Sequence, residues 1–349
     1  MRNMIKVINI VLLSCMLMSC AVAQDKRKAS QIKDPIAENM LVYQRSIGGW
    51  PKAVDKVPVD YKKTLTDEQR KNIRLDSLHN DATIDNKATT REIEYLISAY
   101  AKTDNEKYLS AAKKGVEFLL MAQYENGGWP QYYPDHSNYR GQITYNDNAM
   151  INVLNILQDI VEAKNGFEAM NSYKEKAGQA VKKGVSCILK TQIRVDGELT
   201  VWCAQYDQHT LAPAKARAFE LVSLSGGESV DIVLFLMRMH PNAEIINSIN
   251  SAVKWFDKTR ITGYDFVLIN DPKQPKGKDR VLIKKEGSVI WARFYDIQTN
   301  KPTFTGRDSQ PKSTVGEIDV ERRVGYSWYG TWPQKLFDKK YPEWLKKIK

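Results

Sequence analysis

Two short acidic segments stand where helices are expected to begin. Asp85-Asn86 precedes Ala88-Thr89-Thr90, and Asn146-Asp147-Asn148 precedes Ala149-Met150. Asp and Asn are preferred N-cap residues, so helix capping explains each segment taken alone. Taken together, they would bring two carboxylates and their amide neighbours to one rim of a repetitive helical fold. Oxygen ligands of this kind suit a hard cation such as calcium, although no EF-hand spacing is present.

A polar loop, residues 203–228, holds further candidates. Pro213 interrupts any helix through it, and the loop carries Lys215 and Arg217. An isolated arginine in such a loop would be expected to pair with a carboxylate such as Glu220 for packing reasons. Its residue type also allows Arg217 to clamp the carboxylate of an acidic ligand.

The chain repeats itself around these segments. Residues 112–120 with Gln123 recur as residues 180–189 with Gln192, at a spacing of 69 residues, and a fainter copy follows at 251–261. Glycine-containing turns before an aromatic residue accompany the repeat, at Gly48-Gly49-Trp50, Gly127-Gly128-Trp129 and Asp196-Gly197 before Trp202. Each unit therefore resembles a helical hairpin closed by a short extended piece.

Apolar spacing predicts the helices that position the candidates. The stripes are Ile93, Leu96, Ile97 and Tyr100; Leu109, Ala112, Val116, Leu119 and Leu120; Met150, Val153, Leu154 and Leu157; and Ala177, Val181, Val185 and Ile188. Ser225 and Glu228 predict a capping box that opens a further helix, residues 230–239. From Tyr264 the pattern alternates as in strands. The predicted fold class is mainly α: an α/α toroid of helical hairpins with a small β-rich C-terminal insertion.

The N-terminus predicts export. Residues 1–23 have the layout of a signal peptide, cut before Cys20 in a lipobox or after Ala23 at an ordinary site, and we favour the lipobox. Residues 24–45 would be a linker or the start of the domain, and residues 46–349 the main domain. We expect a periplasmic or outer-membrane/cell-surface lipoprotein of a bacterium, which contacts the membrane only through a lipid on Cys20.

The formal net charge of +11 favours polyanionic partners, namely nucleic acid, lipid head groups or an acidic polysaccharide. No basic helix or aromatic RNA-binding signature supports nucleic acid. Beyond the leader, Cys187 and Cys203 could form one disulfide or remain buried thiols. No zinc-ligand spacing is present.

Seven segments, in this order, resemble the pectate lyases of polysaccharide lyase family 10. They are Asp85-Asn86-Lys87-Ala88-Thr89-Thr90, Gly127-Gly128-Trp129-Pro130-Gln131-Tyr132-Tyr133-Pro134, Ile143-Thr144-Tyr145-Asn146-Asp147, Arg217 within 211–219, Arg293-Phe294-Tyr295, Gly306-Arg307-Asp308 and the aromatic stretch 325–333. The resemblance runs from about residue 48 to 333. Several motifs in one order are far more specific than any one of them.

The resemblance implies calcium-dependent β-elimination on polygalacturonate, giving 4,5-unsaturated oligogalacturonides. By position, Asp85 and Asp147 correspond to the calcium-side acids, Arg217 to the catalytic base, and Asn86, Arg293 and Arg307 to substrate contacts. Lys215 is a further candidate contact for a substrate carboxylate. Asn148 stands where many members have an acid, so calcium is expected to bind together with the substrate carboxylate. We expect a monomer.

These residue types suit elimination. Removal of the C5 proton places negative charge on the neighbouring carboxylate, where calcium and the guanidinium groups of Arg293 and Arg307 would stabilise it. Arginine is normally protonated, so the base role requires crowding by Lys215, Arg293, Arg307 and calcium to lower the pKa of Arg217. Two alternatives remain open: an α/α-toroid uronide hydrolase that uses Asp85 and Asp147 as its carboxylate pair, and a non-catalytic glycan-binding lipoprotein. Trp50, Trp129, Trp328 and Trp332 would either stack on sugars or plug the fold.

Overall fold

A computed structural model describes residues 33–348, which fold mainly into helices. The helices are α1 (Pro35–Tyr43), α2 (Asp67–Leu75), α3 (Thr90–Thr103), α4 (Glu106–Met121), α5 (Ala149–Glu162), α6 (Lys174–Thr191), α7 (Glu228–Leu236), α8 (Ala243–Lys258), α9 (Val320–Gly325) and α10 (Tyr341–Ile348). Within these residues, no helix is long and apolar enough to cross a membrane. The predicted signal peptide and the lipid on Cys20 lie outside the described residues.

The strands are short except for two, and every pairing between them is antiparallel. They are β1 (Ala53–Val54), β2 (Val57–Pro58), β3 (Ile143–Thr144), β4 (Arg194–Val195), β5 (Glu198–Leu199), β6 (Gln205–Tyr206), β7 (Leu224–Ser225), β8 (Ile261–Asn270), β9 (Lys278–Ala292), β10 (Phe294–Tyr295), β11 (Phe304–Thr305), β12 (Pro311–Lys312) and β13 (Tyr329–Gly330). The pairs are β1 with β2, β3 with β6, β4 with β5, β7 with β10, and β11 with β12. The long strands β8 and β9 form a hairpin that β13 extends, which confirms the predicted β-rich C-terminal region.

The described chain divides into two compact units. Unit 1 contains residues 33–83, 88–121 and 159–174, and unit 2 contains residues 84–87, 122–158 and 175–348. In unit 1, α3 and α4 pack together, and both bury their predicted apolar stripes except for Tyr100 and Leu120, which are partly exposed. Helix α1 lies in the region expected to be a linker or the start of the domain, and its N-cap Asp34 accepts hydrogen bonds from Ile36 and Ala37.

Unit 2 contains α6 to α10 and strands β3 to β13. Helices α7 and α8 pack together, and an aromatic cluster of Phe294, Phe304 and Trp328 lies beneath the β8–β9 hairpin, with Phe266 and Tyr329 packed against it. Cys187 and Cys203 are free and buried, so the structure selects the thiol alternative over the disulfide.

Three glutamines show that the internal repeat is structural. Each donates from its side-chain nitrogen to the carbonyl of a turn and to the carbonyl of a following helix. The bonds run from Gln44 to Gly48 and Ala111, from Gln123 to Gly127 and Ala180, and from Gln192 to Thr200 and Ser248, all between 2.8 and 3.1 Å. Each bridge fixes a turn to a helix of the repeat.

The tryptophans of these turns position the segments that follow. Trp50, Trp129 and Trp202 are fully buried, and their carbonyl oxygens accept the backbone N–H groups of Thr83, Thr144 and Ser225 at 2.7–3.1 Å. The first two of these residues stand two or three positions before Asp85 and Asp147. Because Trp50, Trp129 and Trp328 are inaccessible, they pack the interior and do not stack on sugars. Trp332 is partly exposed.

Candidate active site

The acidic segments are strained turns rather than helix caps. Helix α3 begins at Thr90 with Thr89 at its N-cap, so Asp85 stands well before the helix. Asn86 and Lys87 have φ angles of 51° and 63°, and Asp147 and Asn148 have 50° and 61°. Non-glycine residues seldom adopt this left-handed conformation, and it concentrates at functional sites. The two turns share one backbone geometry, as expected for equivalent positions of a repeat.

The two turns meet in unit 2, as predicted. The segment Asp85–Lys87 contacts the segment Asn146–Asn148, and Arg293 lies against Asp147 with its Nη2 3.4 Å from Oδ1. The same Nη2 donates to Oε1 of Glu228. A buried guanidinium group, with 13% of its side chain exposed, is thereby held between two carboxylates from different parts of the chain. We call Asp85, Asp147, Glu228 and Arg293 the acidic cluster.

Burial and neighbouring charges shift the pKa values of the groups in and beside this cluster. Removal from water raises the pKa of Asp147, Glu228 and Asp85 raise it further, and Arg293 opposes the shift. Burial also raises the pKa of Asp231. The side-chain amide of Asn148 opposes this shift, because it donates to Oδ2 of Asp231 and favours the ionised form. Burial disfavours the charge of Arg293, but Glu228 and Asp147 hold its pKa above the usual value.

A cavity of about 380 Å³ opens beside the cluster. Trp332 forms part of its apolar wall. Its polar lining comes from Asp147, Asn148, Glu228, Asp231, Arg293 and Lys335. Protein pockets that hold small ligands start at roughly this size. The cavity therefore has the size and the groups to take one acidic sugar ring, with Arg293 available to a carboxylate.

Arg217 reaches this region through a network. Its Nε donates to Oε2 of Glu220 at 2.8 Å, its Nη2 donates to Oε1, and the hydroxyl of Tyr326 donates to the same Oε1 at 3.1 Å. The ring centroid of Tyr326 lies 4.8 Å from Cζ of Arg293. Arg217 is half-exposed and Glu220 is buried. The network thus links the predicted base to the acidic cluster.

The expectation that crowding lowers the pKa of Arg217 is wrong for the protein alone. The hydrogen bonds to Glu220 raise that pKa, and they outweigh the opposing effect of burial. The arginine is held as a cation, because its nearest charged partner is the buried carboxylate three residues along the chain. The pairing with Glu220 that the sequence suggested is confirmed.

The remaining predicted residues are exposed. Arg307 pairs with Glu321, at 3.2 Å from Nε to Oε2, and its side chain is 63% exposed. Lys215 Nζ lies 3.2 Å from Oγ of Ser309. Asn86 is exposed, with its Nδ2 3.5 Å from Oδ2 of Asp85. The structure therefore brings Asp85, Asp147 and Arg293 together, and it leaves Arg307 and Lys215 exposed at the surface.

Sequence reasoning missed four residues of the network. Glu228 was identified only as a capping residue; its N–H does donate to Ser225 Oγ at 3.2 Å, but its carboxylate also binds Arg293. Asp231 follows it by one helical turn on α7, a spacing that could have identified both acids. Glu220 was considered only as a packing partner, and Tyr326 only as part of an aromatic stretch.

The donor groups fit a hard cation. Beside the carboxylates of Asp85 and Asp147, Asn146 presents a buried side-chain oxygen for which the described residues supply no hydrogen-bond partner. Its Nδ2 is fixed by Oδ2 of Asp147 at 2.9 Å. Within residues 33–348 there is no group of three or more His, Cys, Asp or Glu side chains that could hold a metal ion. A cation here would rely on two carboxylates, neutral oxygens and a ligand.

Comparison with known proteins now gives the class. Residues 44–337 match the family described as pectic acid lyase. A family 10 polysaccharide lyase from Cellvibrio cellulosa superposes with a TM-score of 0.76 at 32% identity, over 90% of this chain and 94% of that chain. A mutant of that lyase in complex with trigalacturonic acid superposes with a TM-score of 0.76 at 33% identity, over 90% of this chain and 95% of that chain. The sequence has no match among curated proteins.

These matches define the class as polysaccharide lyase, and the chain belongs to polysaccharide lyase family 10. Within that class it is a pectate lyase. These matches support neither the hydrolase nor the non-catalytic binder.

Proposed function

We propose that the protein cleaves α-1,4-polygalacturonate by calcium-dependent β-elimination and releases 4,5-unsaturated oligogalacturonides. The single observation that carries the proposal is the convergence of Asp85, Asp147 and Arg293 beside a cavity of about 380 Å³. The trigalacturonic acid bound to the related mutant supports a galacturonide ligand.

In this proposal Arg293 binds the carboxylate of the sugar that loses its C5 proton. Its buried guanidinium group is already fixed by Glu228 and Asp147, so it needs little reorganisation to stabilise the negative charge that develops there. Asn86 and Lys215 would supply polar contacts to the substrate, and Arg307 would bind a carboxylate of a neighbouring sugar. Trp332 offers an apolar face.

Arg217 removes the proton from C5 in this proposal. Its ion pair with Glu220 holds it protonated, so Arg217 must first give up a proton before it can accept the one from C5. Separation from Glu220 would make that loss easier, because the carboxylate favours the cation. Family resemblance supports this role, and the half-exposed position of the side chain leaves it able to turn towards a ligand. A clamp on a substrate carboxylate is the role that its charge favours, and kinetics distinguish the two.

Asp85, Asp147 and the side-chain oxygen of Asn146 would hold calcium, and the substrate carboxylate would complete its ligands. When bound, calcium supplies positive charge to the substrate carboxylate as the C5 proton leaves. The raised pKa of Asp147 means that this acid has to be ionised against its burial before a cation can bind.

The test is the absorbance of the unsaturated product from polygalacturonate. We expect product with calcium, none after chelation, and recovery when calcium is restored. Release of reducing ends without the unsaturated chromophore would instead indicate hydrolysis and overturn the proposal. Binding without either signal would overturn it as well.

The proposal extends to the overall fold, the location and the oligomeric state of the protein. The chain would form an α/α toroid, since the glutamine bridges repeat with the helical hairpins. It would act as an exported monomer, periplasmic or attached to the cell surface through Cys20. Residues 46–349 would form the catalytic domain, and the substrate would be an acidic polysaccharide rather than nucleic acid.

A further inference from the structure

We propose that unit 2 carries a second anion site, centred on Arg280, which binds the carboxylate of a uronide away from the acidic cluster. The proposal rests on the proposed function only for the identity of the uronide. It goes beyond the cleavage site, because Arg280 takes no part in the network of Arg217 and Arg293.

Arg280 is a cation for which the described residues supply no counter-charge. Its Nε is buried without a hydrogen-bond partner in that part of the chain, and its Cζ lies 5.5 Å from the ring centroid of Phe266. Salt bridges found among the described residues do not include it. A buried guanidinium N–H without an acceptor is unfavourable, and an anionic ligand would remove that cost.

The carboxylate next to Arg280 in the sequence, Asp279, is already paired with another arginine. Arg323 grips Asp279 with two bonds, from Nε at 2.9 Å and from Nη2 at 2.7 Å. These bonds lower the pKa of Asp279, so the pair is ionised and mutually satisfied. Asp279 fixes Arg323 in the wall and leaves the charge of Arg280 uncompensated.

Arg280 lines a cavity of about 400 Å³, together with Asp279, Ser313, Thr314, Arg323 and Tyr329. Val315, a further lining residue, belongs to the aromatic core, and Phe266 and Tyr329 pack against that core. The walls are therefore held by buried contacts, which lowers the entropic cost of binding. The space is large enough for one sugar ring.

The chemistry of this cavity favours a uronide. A guanidinium group binds a carboxylate through two parallel N–H groups, and the ring of Tyr329 offers an apolar face to a sugar. The uronide could be a unit of the chain under cleavage or a free short oligomer. Both present the same carboxylate on the same ring.

The test compares Arg280→Gln with Lys284→Gln, which removes an exposed positive charge from the same strand. If the site holds the chain under cleavage, Arg280→Gln raises KM for polygalacturonate about tenfold and leaves KM for trigalacturonate unchanged. If it holds a free uronide, galacturonate shifts the NMR signals of Tyr329 and Ser313 in the wild-type protein but not in Arg280→Gln, while KM for the polymer is unchanged. Either result supports the site.

The proposal is overturned if neither measurement changes, or if Lys284→Gln has an equal effect. Unfolding midpoints of both variants check the fold, and Arg280→Lys, which keeps the charge, should recover part of the binding if Arg280→Gln is unstable. Should the wild-type protein release no unsaturated uronide, the proposed function fails. The galacturonate titration would still decide the Arg280 site.

Discussion

Tyr326 donates its hydroxyl hydrogen bond to Glu220 at 3.1 Å. The same ring lies against the guanidinium group of Arg293, 4.8 Å from Cζ to centroid, and Glu220 holds Arg217. One tyrosine therefore contacts both halves of the site.

Tyr326→Phe removes the hydroxyl and keeps the ring. We expect a loss of about 1–2 kcal/mol in the free energy of unfolding, because the buried carboxylate of Glu220 loses one donor. We also expect kcat to fall more than KM rises, since Arg217 is less well positioned. Urea unfolding and product absorbance measure the two effects.

Tyr173→Phe is the matched control, because it removes a tyrosine–glutamate hydrogen bond, to Glu117, that is exposed and lies in unit 1. That variant should change neither kcat nor KM. Equal kinetic effects of the two substitutions would contradict the positioning role of Tyr326.

Arg217→Ala distinguishes a base from a clamp. A lost general base should lower kcat by about 10²–10⁴-fold while trigalacturonate binding persists. A lost clamp should raise KM with kcat largely kept. Steady-state kinetics and calorimetric binding give the two quantities. Arg194→Ala, at an exposed arginine whose Nη1 donates to the carbonyl of Gly197, should match the wild-type enzyme. Unchanged turnover in Arg217→Ala would remove this residue from the mechanism.

Asp231→Asn tests the charge balance beside the cluster. Burial raises the pKa of Asp231 in the folded protein, so between its unfolded pKa, about 3.8, and the raised folded value the native state binds more protons. Rising pH through this window therefore destabilises the fold. The variant should unfold about 1–2 °C higher at neutral pH, and the gain should vanish below the unfolded pKa. Thermal unfolding across pH measures this.

Asp207→Asn should behave in the opposite way. Hydrogen bonds from the backbone and hydroxyl of Thr210 lower the pKa of Asp207, so its ionised form contributes stability above the unfolded pKa. That contribution is lost as pH falls through the lowered folded pKa. The variant should unfold at a lower temperature at neutral pH. If Asp231→Asn and Asp207→Asn shift the unfolding temperature in the same direction at neutral pH, burial is not what determines the effect of Asp231→Asn.

Local pattern was enough to predict much of the fold. Stripes such as Ile93, Leu96 and Ile97 follow the helical period, and they lie buried in α3. The alternation from Phe266 to Ile269 predicted a strand, and these residues form part of β8. The shared form of the two acidic segments predicted that they meet. Each of these features is set by neighbours within a few residues or by the repeat.

Features that depend on distant partners could not be predicted in this way. The direction of the pKa shift at Arg217 depends on how far Glu220 is buried, which only the folded chain determines. Glu228 combines a local bond to Ser225 with a distant one to Arg293, and the sequence reveals only the first. The burial of Trp50 and Trp129 likewise depends on packing across the repeat.

Gly127→Ala tests whether the turn before Trp129 positions the site. Gly127 has φ +94°, and a Cβ there would lie 2.1 Å from the carbonyl oxygen of Lys183, which is backbone and cannot move aside. We expect a loss of at least about 3 kcal/mol in the free energy of unfolding. Gly197→Ala is the control: Gly197 also has a positive φ, +82°, but nothing lies within 4 Å of the added carbon. This variant should lose only about 1 kcal/mol in the free energy of unfolding.

The same substitution should affect activity. Because the carbonyl of Trp129 accepts the backbone N–H of Thr144, three residues before Asp147, any folded Gly127→Ala protein should also lose calcium-dependent activity. Equal urea midpoints for the two variants would show that the contact with Lys183 is dispensable.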